Sequence, residues 1–240
     1  LKQDPLAHQT VGKNKTIVLL FFNSSLRTRL STEKAAHNLG MNVMVMNISN
    51  AWNLEFEDGT VMNLDKAEHI KEAAAVVSQY ADIIAVRAFP SLTDKAKDES
   101  EYVLKAFAKY ASVPIVNMES ATAHPLQSLT DAITITEKKL KRPKVVLSWA
   151  PHPKALPHAV ANSFIKTMQN LDVEFCIAHP EGYDLNPNIV KDTPVYYNQE
   201  EAFKDADFVY AKNWSNYNDY GQVLNTDSNW MMTLEQIKQA

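Results

Sequence analysis

The chain alternates short runs of consecutive apolar residues with stretches in which apolar positions recur every three or four residues. The first run, Thr16–Phe22, is apolar on both faces, as expected of a strand buried inside a parallel sheet. Val43–Met46, Asp82–Phe89 and Val113–Glu119 read as three more strands, the second carrying Arg87 at its end and the third ending in Glu119. Between them, Leu26, Leu30, Ala35, Ala36 and Leu39 give a helix face stopped by Gly40. Asp65-Lys66-Ala67-Glu68 resembles a capping box with Asp in the Ser/Thr role. Ile70, Ala73, Ala74, Val77, Tyr80 and Ala81 form the stripe of the helix behind it. A helix is predicted over 99–111 and another from the His124-Pro125-Leu126-Gln127 run to about Leu140. Lys2–Asn14 is polar and irregular, and Asn50–Asn63 loses periodicity and reads as a long loop.

Lys138–Lys144 is a basic run that reads as a solvated linker between two halves, 1–140 and 141–240. A second βα series follows it, with strands at Val145–Trp149, Glu174–Ala178, Val195–Tyr197 and Asp207–Ala211 and helices near 158–170 and 199–205. Strands alternating with helices predict an α/β protein of two doubly wound domains with parallel sheets. Pro151, Pro153 and Pro157 fix φ angles after the first of these strands and make that segment a shaped loop.

Composition narrows the classes. With 240 residues, 45% hydrophobic and 22% charged, the chain suits one large or two small globular domains. Its net charge of −4 offers no broad attraction for nucleic acid. The single Cys176 cannot form an internal disulfide and sits in an apolar strand pattern, where it reads as a small core residue. Without a signal peptide or an 18-residue apolar run, the expectation is a cytoplasmic protein that meets no membrane. The start at Leu1 without a Met and the end at Ala240 in a helix-like stretch suggest a fragment of a longer protein.

Chemistry concentrates at predicted strand ends. Asn23-Ser24-Ser25-Leu26-Arg27-Thr28-Arg29 links a buried strand to a helix start, where free N–H groups, the positive dipole end and guanidinium forks suit a phosphate. The plain alternative is a capped helix with two solvated arginines. In open parallel sheets ligands bind outside the carboxyl ends of the strands, so Arg87 can face the same crevice. Glu119 and the His124/Gln127 pair complete a set suited to a doubly charged phosphate with an adjoining neutral polar group. His124 has an alternative as a satisfied core histidine, Trp52 as a loop aromatic pinning Phe56, Glu119 as a helix cap and Lys212 as a solvated strand-end lysine.

The S-L-R-T-R turn after a strand, Arg87 at the third strand end and H-P-L-Q at 124–127 resemble the aspartate/ornithine carbamoyltransferase family. F-F-N-S-S-L-R-T-R, Ala51-Trp52, G-T-V-M at 59–62, E-H-I at 68–70, V-R-A-F-P at 86–90, N-M-E at 117–119, W-A-P-H-P at 149–153 and Y-A-K-N-W at 210–214 resemble its branch acting on Nα-acylated ornithine. That resemblance implies a transcarbamylase-like fold, with a carbamoyl-phosphate-binding domain over 1–140 and an acylornithine-binding domain over 141–240, incomplete at its C-terminus. The implied reaction is carbamoyl transfer to the δ-amine, giving N-acylcitrulline and phosphate in arginine biosynthesis. It needs no metal or cofactor. By the same resemblance Ser25, Leu26, Arg27, Thr28 and Arg29 bind the phosphate of carbamoyl phosphate, and Arg87, His124 and Gln127 hold its carbamoyl end. Catalysis is expected of Thr28, Arg87, His124 and Gln127. Trp52 is expected to reach a neighbouring site in a homotrimer, with Glu119, Lys212 and Ala67 near the acylornithine. A knotted backbone after Trp149 is implied for the parent protein.

The branch divides by acyl group at the residue before Glu68, a glutamate going with N-acetylornithine and a proline with N-succinylornithine. Ala67 matches neither. It lacks the charge that would repel a succinyl carboxylate, and Pro157 resembles the succinyl type, so N-succinylornithine is expected over N-acetylornithine. The family's closing H-C-L-P segment and C-terminal helix are not in the chain, which can leave the pocket inactive. Three alternatives stay open. They are transfer to free ornithine, a non-catalytic phosphate-binding regulatory module, and a nucleotide-binding α/β domain, the last weakened by having five glycines and no G-x-G-x-x-G or Walker-type loop.

Overall fold

The structure is a computed structural model that describes residues 2–48, 52–62, 65–138, 140–224 and 228–237. Asn50, Ala51 and Asn63 of the long loop, Lys139 of the basic run and the terminal Ala240 lie outside the described residues. In chain order the elements are β1 (Thr16–Phe21), α1 (Arg27–Asn38), β2 (Asn42–Asn47), β3 (Leu54–Glu55), β4 (Glu68–His69), α2 (Ile70–Tyr80), β5 (Ile83–Arg87), α3 (Lys95–Glu99), α4 (Tyr102–Tyr110) and β6 (Ile115–Glu119). They continue with α5 (Pro125–Glu137), β7 (Lys144–Trp149), α6 (Ala159–Met168), β8 (Glu174–Ala178), α7 (Pro187–Val190), β9 (Val195–Tyr196), α8 (Gln199–Phe203), β10 (Phe208–Lys212), a 3₁₀ turn at Ser228–Trp230 and α9 (Leu234–Ile237).

Two compact units form. One comprises Leu1–Phe89 and Ser100–Ser120, the other Pro90–Glu99 and Ala121–Ala240. These compact units divide near 120, because α5 packs on the second core, with Ile135 buried among Val145, Leu147 and Phe164.

In the first unit the sheet order is β2-β1-β5-β6, all parallel. Alternate residues of β1 face opposite sides, as the strand period requires. Val18 and Leu20 meet Ile70, Ala73, Ala74 and Val77 of α2 and Phe107 of α4, while Ile17, Leu19 and Phe21 meet Ala36 of α1. Helices on both faces explain why β1 reads as an uninterrupted apolar run. The second unit repeats the plan with order β10-β7-β8-β9, again parallel. Val145, Leu147 and Trp149 pack on Phe164, Ile165 and Met168 of α6, and Val146, Cys176 and Ala178 on Ala202 and Phe203 of α8. Burial pushes the Cys176 thiol up to about 11, which fits an unreactive core residue. The predicted pair of doubly wound α/β domains is present. Among the described residues no helix is long and apolar enough to cross a membrane.

Several local expectations need correction. Leu26 and Leu30 are exposed at 73% and 60%, and of the expected α1 face only Ala36 is buried. At 100° per residue those leucines lie roughly 80–120° around the helix from Ala36, outside the arc the sheet covers. Tyr80 is likewise exposed at the end of α2. The capping box does not form, because Glu68-His69 pairs in parallel with Leu54-Glu55 of the expected loop as a two-stranded sheet. His69 caps α2 instead. Its Nδ1 accepts from the Lys71 N–H at 3.1 Å, so Nε2 carries the proton and donates to the Glu57 carbonyl at 3.0 Å. The helix expected over 99–111 is broken at Glu101, where φ is +56°, into α3 and α4. Gly40 does end α1, with φ +79° and the Met41 N–H returning to the Ala36 carbonyl.

Candidate active site

The first sheet changes direction at β1, whose neighbours are β2 on one side and β5 on the other. At such a switch point the loops leaving the two strands part and open a crevice at their carboxyl ends. The turn at 22–26 and the start of α1 leave from β1, and Arg87 ends β5. Leu26 has helical angles at the N-cap, no side chain caps the helix, and no acidic residue lies in its first turn. Among the described residues no side chain therefore neutralises the positive end of α1 from its cap or first turn, which suits an anion.

Arg87 organises this end of the sheet. Its Nε and Nη2 lie 3.2 and 3.1 Å from Glu119 Oε2, and its Nη1 donates to the carbonyls of Asn23 at 3.2 Å and Ser24 at 2.9 Å. The guanidinium carbon stands 4.1 Å from the Phe89 ring centroid. Asn23 Oδ1 adds a tie to β5 by accepting from the Phe89 N–H at 2.6 Å. Both members of the ion pair are 7% exposed. A register shift makes it possible, since Val86 pairs with Asn117 but Arg87 pairs with Glu119, leaving Met118 as the extra residue of a bulge. Burial pulls the Arg87 pKa down and Glu119 opposes that pull.

Other expected site residues of the first unit have these surroundings. Arg27 is exposed and has no ion-pair partner among the described residues, whereas Arg29 donates from Nε to Glu33 Oε1 at 3.1 Å. Trp52 packs on the first core and donates from Nε1 to Glu68 Oε2 at 2.8 Å. Ala67 is exposed beside that bond, its N–H donating to the Asn53 carbonyl at 2.8 Å.

His124, Gln127 and Lys212 belong to the second unit. His124 precedes the first turn of α5, with Pro125 at the first helical position, and its backbone N–H donates to Ser163 Oγ at 2.7 Å. Gln127 Nε2 donates to Asp131 Oδ1 at 2.8 Å. Lys212 ends β10, where its carbonyl accepts from the Ala150 N–H at 3.2 Å. Trp149 and Trp214 cross-link these strand exits, Trp149 donating to the Trp214 carbonyl and Trp214 to the Tyr183 carbonyl.

The sequence reading missed Asn162. It is 4% exposed, its amide donates to the Thr122 carbonyl, and its Oδ1 is buried without a hydrogen bond among the described residues. It lines a cavity of about 350 Å³ with Thr122, His158 and Lys166. A buried acceptor and a nearby ammonium group fit a ligand carrying an N–H and a carboxylate. The sequence signal was only a polar residue at an inward position of a helix, which is weak. Asp131 was missed for the same reason.

The family model for the carbamoyl-P binding domain of aspartate/ornithine carbamoyltransferase matches residues 1–137. The chain thus belongs to the aspartate/ornithine carbamoyltransferase family and is a carbamoyltransferase with the transcarbamylase fold. It is 52% identical over 234 residues to N-succinylornithine carbamoyltransferase of Bacteroides fragilis (strain 638R), which covers 96% of this chain and 74% of that relative. It is 43% identical over 220 residues to N-acetylornithine carbamoyltransferase of Xanthomonas axonopodis pv. citri (strain 306), covering 84% and 64%. A crystal structure of N-acetyl-L-ornithine transcarbamylase, in a variant with one glutamate replaced by alanine, is complexed with carbamyl phosphate and N-succinyl-L-norvaline. It matches with a TM-score of 0.86 at 39% identity, covering 92% of this chain and 71% of that one.

Proposed function

We propose that this protein transfers the carbamoyl group of carbamoyl phosphate to the δ-amine of an Nα-acylated ornithine, N-succinylornithine in preference to N-acetylornithine, as a cytoplasmic step of arginine biosynthesis. The observation that carries the proposal is the Arg87 cluster at the switch point of the first sheet, beside a helix start with no side-chain cap. Residues 1–140 supply carbamoyl phosphate binding and 141–240 acylornithine binding. Ser25, Leu26, Arg27, Thr28 and Arg29 take the phosphate, and Arg87, His124 and Gln127 the carbamoyl group. Glu119, Lys212 and Ala67 serve the acylornithine.

The neutral amine attacks the carbamoyl carbon. An N–C bond forms, the C–O bond to phosphorus breaks with its electron pair leaving on phosphate, and the surplus amine proton passes to that phosphate. Charge grows first on the carbamoyl oxygen and then on the leaving group, so donors fixed at both places stabilise the transition state more than the ground state. Ala67 supports the succinyl preference, because it carries no charge to oppose a second carboxylate. The alanine variant complexed with N-succinyl-L-norvaline supports it from a relative.

Rates with carbamoyl phosphate and free, acetylated or succinylated ornithine test the reading. Succinylornithine should be used best, and Ala67→Glu should move the preference toward the acetyl compound. A preference for free ornithine overturns both acyl versions, and carbamoyl phosphate binding without transfer to any of the three favours a regulatory module. A homotrimer, in which Trp52 reaches a neighbouring site, is part of the proposal. The exposed Leu26, Leu30, Met44 and Met46 along the β2 side of the first unit support an interface there. Light scattering should give three times the 27.0 kDa chain mass.

A further inference from the structure

Gln127 has an amide whose two ends carry opposite hydrogen-bonding character, and a ligand meets whichever end is turned toward it. In α5 the amide is not free to choose. Its Nε2 donates to Asp131 Oδ1 at 2.8 Å, one helical turn on, and an ionised carboxylate has only acceptors to offer. The Gln127 carbonyl oxygen is thereby turned to the side away from Asp131. Asp131 is half-buried with its Oδ2 free of hydrogen bonds among the described residues, Tyr210 of β10 lies beside it, and the Tyr210 ring stacks on Phe164 with centroids 4.5 Å apart and planes 19° apart. Burial, then the Asp131 charge, push the Tyr210 phenol up to about 12, so a neutral phenol faces the carboxylate at neutral pH.

We infer that Asp131 is a specificity-determining positioning residue: by fixing Gln127 as a hydrogen-bond acceptor, it makes the protein select an acyl phosphate that bears an NH₂ group over one that bears a methyl. The inference rests on the reading above that Gln127 faces the carbamoyl group. Carbamoyl phosphate and acetyl phosphate have the same shape and the same phosphate, and differ in this one group. An acceptor turned toward the methyl of acetyl phosphate loses its partner, and sites built around such a bond reject the analogue strongly. A neutral amide at 131 has both a donor and an acceptor, so it permits either orientation of Gln127 and removes the selection.

Dissociation constants for carbamoyl phosphate, acetyl phosphate and inorganic phosphate are measured by calorimetry on the wild type, Asp131→Asn, Asp131→Glu and Gln127→Met. Wild type should prefer carbamoyl over acetyl phosphate, and Asp131→Asn should shrink that ratio on the order of tenfold. Inorganic phosphate affinity should stay unchanged, and Asp131→Glu should restore the ratio. In a Gln127→Met background Asp131→Asn should have no further effect. A structural role would weaken all three ligands together, which overturns the inference. An unchanged ratio in Asp131→Asn with a reduced one in Gln127→Met also overturns it, while leaving Gln127 as the carbamoyl contact. An unchanged ratio in Gln127→Met overturns the reading of Gln127 and the inference with it. Asp131→Ser gives the same readout should Asp131→Asn fail to fold.

Discussion

Arg87 and Glu119 form a buried ion pair, and removing one member should cost far more than removing both. In Arg87→Met the Glu119 carboxylate loses its cation, and the Asn23 and Ser24 carbonyls lose a charged donor. Stranding a buried charge typically costs about 3–5 kcal/mol. Arg87→Met should therefore be destabilised by roughly 3–5 kcal/mol. Glu119→Gln, which takes the opposing charge from the guanidinium, should cost about 3 kcal/mol or more. Arg87→Met with Glu119→Leu should recover most of either loss, leaving about 1–2 kcal/mol. Because the chain has two compact units, the assay is hydrogen exchange of peptides from β1, β5 and β6, which reports this unit alone. Single-variant costs below about 1 kcal/mol, or a double variant as costly as the sum, would refute the pair as the organiser of this strand end.

His158 and His179 are buried, at 8% and 2% exposure, and burial holds both pKa values below the usual histidine range. Unfolding lets them take protons, so the second unit should lose stability as pH falls below about 6.5, by up to about 1.4 kcal/mol per histidine per pH unit. The urea midpoint followed at pH 7.5 and 5.5 checks this, and an unchanged slope in the double His→Gln variant counts against it. Gly221 has φ +75° and packs its Cα side on the Leu92 carbonyl. Gly221→Ala should cost about 2 kcal/mol or more through left-handed strain and that overlap, seen as faster exchange across 90–99 and 217–222. Equal protection in the two proteins would remove the idea. His69→Ala should remove the α2 cap at about 1 kcal/mol and release the Glu57 tie, so that proteases cut the 56–62 segment faster than in wild type. An unaltered cleavage rate would show the cap to be dispensable.

What the sequence determined by itself was the layout. Strands buried on both faces have no polar side to show, so β1, β5 and β7 announced themselves as apolar runs, and the intervening three- and four-residue periods implied helices on both faces of parallel sheets. That fold class then told where chemistry belongs, at the carboxyl ends of β1 and β5, and Ser25–Arg29 and Arg87 stand there. Tertiary structure alone decided which atoms these residues engage. The bulge at Met118, which sets Glu119 opposite Arg87, depends on pairing between segments about thirty residues apart and leaves no local mark. The replacement of the expected capping box by His69 follows from β3 and β4 pairing across a loop with no periodicity. The break of the long helix at Glu101 and the union of α5 with the second core likewise follow from packing, which a one-dimensional period cannot encode. Asp131 and Asn162 stayed hidden for that reason, since a polar residue on a helix reads as solvated until the neighbours that bury it are known.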